Sequence, residues 1–189
     1  TRIGVDLAKD FEELAIALSG SYEAQAGRSG VIDLTASIPR GQAVAVSRYI
    51  PGIGNPLRDY LQGAIQAGTV KDGKLRLKGD LARFPFSKPA DGQFLIEAQL
   101  AQVDFRFDER WPALEAVDGS IRFSGPGMEI RSRAGRILGA RMGAVVASVP
   151  DLFQNNPQLR VEGQVDGPTQ EFLRYLELSP VSGWIGRFT

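Results

Sequence analysis

Three pairs of acidic residues raise the question of catalysis: Glu12 with Glu13, Asp104 with Asp108, and Glu115 with Asp118. Paired carboxylates hydrolyse glycosidic bonds when they face one cleft about 5 to 9.5 Å apart. On one continuous strand, Asp104 and Asp108 would lie roughly 13 Å apart at ordinary strand rise, too far for that chemistry. The 189 residues include no His and no Cys. That removes thiol nucleophiles, His-based triads and Cys-based zinc sites. No Ser stands in a nucleophile-elbow pattern, and "GIG" and "GPG" lie outside any GxGxxG or P-loop frame. The carboxylates read as charges that solvate an outer face. The chain reads as a non-enzyme with no cofactor and no metal.

Lys plus Arg equals Asp plus Glu at 22 each. A balanced charge argues against nucleic acid as a partner, because that affinity comes largely from neutralising phosphates. The absence of Cys fits the cytosol and a disulfide-free periplasmic protein equally. No signal peptide is present, nor any run of about 18 apolar residues. The chain opens on Thr1 already inside an alternating pattern and ends on "WIGRFT". It reads as a segment of a longer protein.

The elements that would carry these residues are mostly strands. Side chains on a strand alternate faces, and apolar residues recur at every second position through much of the chain. Ile3, Val5 and Leu7 begin one strand, Leu14, Ile16 and Leu18 a second, and Ile32, Leu34, Ala36 and Ile38 a third. "KDG" (Lys71 to Gly73) reads as a turn before Leu75, Leu77 and Leu81, and "SGPG" (Ser124 to Gly127) as another. Met128 and Ile130 follow that turn, Leu138, Ala140, Met142, Ala144 and Val146 make a further run, and Leu159, Val161 and Val165 the last. The pattern predicts about eight to ten strands. Two helices are predicted, over Asn55–Gly68 and Gly167–Pro180, each with a proline near its start and one apolar face.

The stretch from Gly92 to Pro112 is the most informative. Phe94, Ile96, Ala98 and Leu100 share one phase, whereas Val103, Phe105 and Phe107 take the other. A bulge near Ala101-Gln102 would return both sets to one side and bend the sheet. Long strands, such a phase shift and few covering helices point to a strongly curved antiparallel sheet with an open apolar face. An ordinary sandwich or closed barrel is the competing architecture. Aromatic residues in "RFPF" (Arg83 to Phe86) and "RYIPGIGNP" (Arg48 to Pro56) read either as core anchors or as the lining of an apolar channel. The expected fold class is therefore mainly β, a single segment over 1–189, with sub-modules suggested at 1–68 and 69–189.

"VSRYIPGIGNPLRDYLQGAIQAGTVKDGKLRLKGDLARFPF" (Val46 to Phe86) resembles the YhdP branch of the AsmA-like proteins of Gram-negative bacteria. So do "RWPALEAVDGSIRFSGPGMEIRSRAGRILGARM" (Arg110 to Met142) and "VEGQVDGPTQEFLRYLELSP" (Val161 to Pro180). Ile50 and Tyr60 depart from that pattern, which tends to Leu and Trp. The resemblance implies a periplasmic segment of a large protein anchored in the inner membrane. It implies a module of a hydrophobic groove that carries phospholipid between inner and outer membranes without catalysis or cofactor. Its partners would be phospholipid acyl chains, adjoining segments of the parent chain, and inner- and outer-membrane proteins. The residues expected to line the groove are Phe94, Ile96, Leu100, Val103, Phe105, Phe107, Ile121, Phe123, Met128, Ile130, Leu138 and Met142. The alternative is an envelope scaffold or assembly protein that works through contacts at its sheet edges.

Overall fold

The computed structural model describes residues 2–10, 13–27, 29–45, 59 and 62–185. Among these residues, nine strands form one antiparallel sheet in which each strand pairs with its neighbours in sequence. They are β1 (Arg2–Asp10), β2 (Leu14–Glu23), β3 (Val31–Gln42), β4 (Ile65–Asp80) and β5 (Gly92–Phe105), followed by β6 (Leu114–Ser124), β7 (Gly127–Ile137), β8 (Ala140–Val149) and β9 (Arg160–Asp166). The sheet is not closed: β1 and β9 lie at its two edges. This is the mainly β, long-stranded architecture expected from the alternation, and it excludes a closed barrel. At 16 and 14 residues, β4 and β5 are far longer than the usual strand.

Two helices follow β9. Helix α1 (Thr169–Glu177) occupies the predicted second helix, with Pro168 at its N-cap position and Glu171 in its first turn. A short helix α2 (Val181–Ile185) comes after Pro180. A one-turn 3-10 helix at Leu81–Arg83 starts where the Asp80 carboxylate accepts from the Ala82 N–H at 3.0 Å.

Several expectations are corrected. Of the helix predicted over Asn55–Gly68, residues 55–58, 60 and 61 lie outside the described residues, residues 59 and 62–64 are helical, and residues 65–68 belong instead to β4. Gly68 is not a helix stop: it sits in the sheet at φ 105°, where a Cβ would come within 2.5 Å of the Val103 Cα. The "KDG" signal is not a hairpin turn. Asp72, at φ 51°, sits in a bulge inside β4, where the register with β5 shifts between Lys71 and Lys74. Left-handed residues serve bulges as readily as turns. Leu138 is not a strand residue. It lies in the two-residue turn between Ile137 and Ala140, at φ 53°. Phe107 lies beyond the end of β5, where the chain turns as Asp108 accepts from the Arg110 N–H at 2.8 Å.

The "SGPG" turn forms as expected, with Ser124 paired to Gly127 and Gly125 at φ 53°. Core packing concentrates near one end of the sheet. Ala43, Val70, Ala98 and Val103 form a buried cluster, with Ile65, Leu100, Phe105 and Ile121 packed against it. Leu14 is fully buried and lies over Gly41, whose missing Cβ leaves room for it.

Candidate functional site: an apolar sheet face

Directly paired residues of an antiparallel sheet point to the same side, so the register identifies each face. One row across the sheet reads Leu7, Leu18, Ala36, Leu75, Ile96, Phe123, Met128 and Val149, each paired with the next. A parallel row reads Ala98, Ile121, Ile130, Ala147 and Val161. Every member of both rows is apolar. The opposite face carries Lys74, Glu97, Arg122, Glu129, Ser148 and Arg160 in one row.

Charges of opposite sign alternate along much of that second face. Arg122 lies 2.9 Å from Glu97, and Asp33 engages both Arg76 and Lys78. The Arg76 guanidinium, with Lys78 beside it, holds the Asp33 carboxyl below its ordinary value. These pairs are largely solvated and add little stability. Their effect is to make the two faces chemically unlike.

The phase change in β5 is where the two halves of the apolar face are joined. Leu100 pairs with Gly119, and Val103 pairs with Val117, so β5 has one residue more than β6 over that interval. Gln102 takes up the extra residue at φ 52°. Phe94, Ile96 and Leu100 before the bulge therefore share a face with Val103 and Phe105 after it. The packing agrees, because Leu100, Val103 and Phe105 meet in one cluster with Ala98 and Ile121. Met142 joins the same side: it pairs with Gly135, and a Cβ there would touch both the Met142 Cε and the Val117 Cγ2.

Of the residues expected to line a groove, only Phe107 and Leu138 lie off the strands that form this face. Phe107 instead stacks with Trp111 at 5.4 Å between ring centroids, and Trp111 approaches Tyr175 of α1 at 6.1 Å. Burial raises the Tyr175 phenol above its ordinary pKa. Glu171 ties the helix to the β7–β8 turn by accepting from the Gly139 N–H at 3.2 Å.

At the opposite end of the strands, the "RFPF" residues cover the face. Phe84 packs on Phe94 at 5.1 Å and on Phe153 at 5.6 Å. Phe153 comes from the loop after β8 and Phe84 from the loop after β4, so a contact joins loops that leave strands four positions apart in the sheet. Phe86 is buried over Gly79 and Gly92, where any Cβ would collide with its ring. Elsewhere the face stays open: Leu7 is 44% exposed and Val161 59%. A large apolar surface still in contact with water marks a place where something binds.

Of the acidic pairs, Glu12 lies outside the described residues, and Asp104, Asp108 and Asp118 are each committed to a local partner. Asp104 accepts from the Ala116 N–H at 2.8 Å, and Asp118 accepts from the Gln102 N–H at 2.9 Å. Asp108 is engaged by Arg110, whose side-chain and backbone hydrogen bonds hold its carboxyl at about 2. These partners are structural and were not legible from spacing alone. Among the described residues, no three acidic groups gather as a metal site would require. No helix among them is long and apolar enough to cross a membrane.

The family described as "YhdP protein" matches residues 7–189 of the chain. Among curated proteins, the chain is similar to the "Intermembrane phospholipid transporter YhdP" of Escherichia coli (strain K12), with 30% identity over 141 residues. That stretch covers 74% of this chain and 11% of the relative, so the chain corresponds to about a tenth of that protein. No solved structure matches it.

Proposed function

Since the chain belongs to the YhdP family, we propose that its apolar sheet face is one module of a hydrophobic groove that carries phospholipid between membranes. The observation that carries this reading is the unbroken apolar row from Leu7 to Val149, backed by a charged opposite face. Acyl chains need continuous apolar contact and no reactive group, while the charged side keeps the module soluble in an aqueous compartment. The lining would comprise the partly exposed Phe94, Ile96, Leu100, Phe105, Ile121, Phe123, Met128 and Ile130, with buried Val103 and Met142 supporting it from beneath. Phe107, beside Trp111, and Leu138, in the β7–β8 turn, would stand outside this lining. The module works without catalysis, in the periplasm, within a parent anchored in the inner membrane. The relative's name as an intermembrane phospholipid transporter supports the cargo class.

Native mass spectrometry tests this reading. The purified chain should carry co-purified phospholipid, and Ile96→Glu should strip it without unfolding the sheet, because Ile96 is only half-buried. A folded, lipid-free parent chain would sink the reading. The edge strands support a second role. Among the described residues, β1 and β9 each have one side with no paired strand, which suits contact with adjoining segments of the parent or with an envelope partner.

A further inference from the structure

Two carboxylates in β5 and β6 are turned into the sheet rather than out to solvent chemistry. Gln102 on β5 is at φ 52° and Ala116 on β6 at φ 50°, a left-handed backbone that non-glycine residues keep only where their surroundings hold them. Each marks an extra residue in its strand: the register shifts between Leu100 and Val103 and again between Glu115 and Asp118. Asp118 accepts from the Gln102 N–H at 2.9 Å and from Gln102 Nε2 at 2.9 Å. Asp104 accepts from the Ala116 N–H at 2.8 Å.

The contacts are reciprocal. Each bulge is held by the Asp that stands two residues beyond the bulge of the neighbouring strand. The same short pattern recurs as Gln102-Val103-Asp104 and Ala116-Val117-Asp118. The valines between are paired with each other and buried. A bulge shifts side-chain phase by one residue, and a one-residue slip moves every later side chain to the other face. Without the Gln102 bulge, Val103 and Phe105 would fall on the side of Glu97 and Gln99.

We infer that Asp104 and Asp118 are positioning residues that lock two adjacent bulges and keep both halves of the apolar face in phase. Resting on the groove reading, this latch sets the path by which an acyl chain could pass from Ile96 to Phe105.

The chain has no Cys, so a single engineered thiol reports which face a position occupies. In the full chain, Val103→Cys should label slowly, Ile96→Cys at an intermediate rate and Gln102→Cys fast. With Asp104→Ala and Asp118→Ala added, labelling at position 103 should rise to the rate seen at 102, while position 96 stays unchanged. Protection at 103 that persists in the folded double variant overturns the latch.

A gentler pair covers the case in which that variant does not fold. Asp118→Leu alone removes the acceptor of the Gln102 N–H and should speed labelling at 103. Asp118→Asn should keep protection, because its amide oxygen still accepts that N–H while the Gln102 amide turns to accept from its Nδ2. Equal labelling rates in these two variants also overturn the proposal. Labelling is read without lipid, so a chain that shows these rates and binds no phospholipid refutes the groove alone.

Discussion

The apolar face is closed differently at its two ends. Where β3 leads away and β4 returns, Ala43, Ala45 and Ala64 are at most 2% exposed, and the Arg106 N–H donates to the Ala64 carbonyl at 2.7 Å. Small side chains let the backbone settle directly on the sheet, and Ala43 joins Val70 and Val103 in a dry core. At the other end the cover is aromatic and still wet: Phe84 is 40% exposed and Phe153 56%. Large rings in contact with each other and with water close a surface without filling it. One end is therefore built as a core and the other as a clasp.

Substitutions should separate the two. The largest effect belongs to the sealed end, where Val103→Asp would bury an unpaired carboxylate and cost about 3 kcal/mol or more. The same change at exposed Val161 should alter stability by no more than about 0.5 kcal/mol. Denaturant unfolding of both variants would reveal whether the core and the open flank differ as described. Equal losses would erase the distinction. At the clasp, Phe153→Ala should cost about 0.5 to 1.5 kcal/mol from the lost ring contact. It should also speed solvent access to Phe94 without changing protection at Val103, as hydrogen exchange of neighbouring amides would show.

The smallest effect concerns the turn beside the sealed end. Arg110 holds Asp108 ionised down to about 2, against an ordinary value of 3.8. A depressed carboxyl contributes its stabilising contact above the ordinary value and loses it as pH falls toward about 2. Carboxyl NMR should find Asp108 titrating near 2, and Arg110→Ala should return it to the usual carboxylate range. Because this pair is exposed, global stability should barely follow.

The two faces of the sheet, though not the difference between its ends, were legible in the residues. Period-two alternation marked the strands because each has one wet and one apolar side, and the slip after Ala101 located the Gln102 bulge. What failed did so for identifiable reasons. Asp72-Gly73 supplies a left-handed backbone, which a bulge and a turn both require, so composition could not tell them apart. Leu138 adopts φ 53° with no Asn or Asp to announce a turn. Phe107 continues the alternation by chance, two residues after β5 has ended at Phe105 and just before the Asp108 turn. The roles of Asp104 and Asp118 depend on cross-strand register, although the repeated Val-Asp pairs were visible. Faces were readable from the sequence, whereas the contacts that align them needed the pairing.

If the sheet is a groove module, one of its faces meets lipid and the other does not. Ile96 and Glu97 are chain neighbours on opposite faces, which makes them the sharpest probe. A photoreactive phenylalanine analogue would be placed at position 96 or 97 of the chain in membranes and the products analysed by mass. Phospholipid crosslinks from position 96 and none from 97 are the expected result. Equal crosslinking at both positions, or none at 96 in a folded chain, would contradict the account.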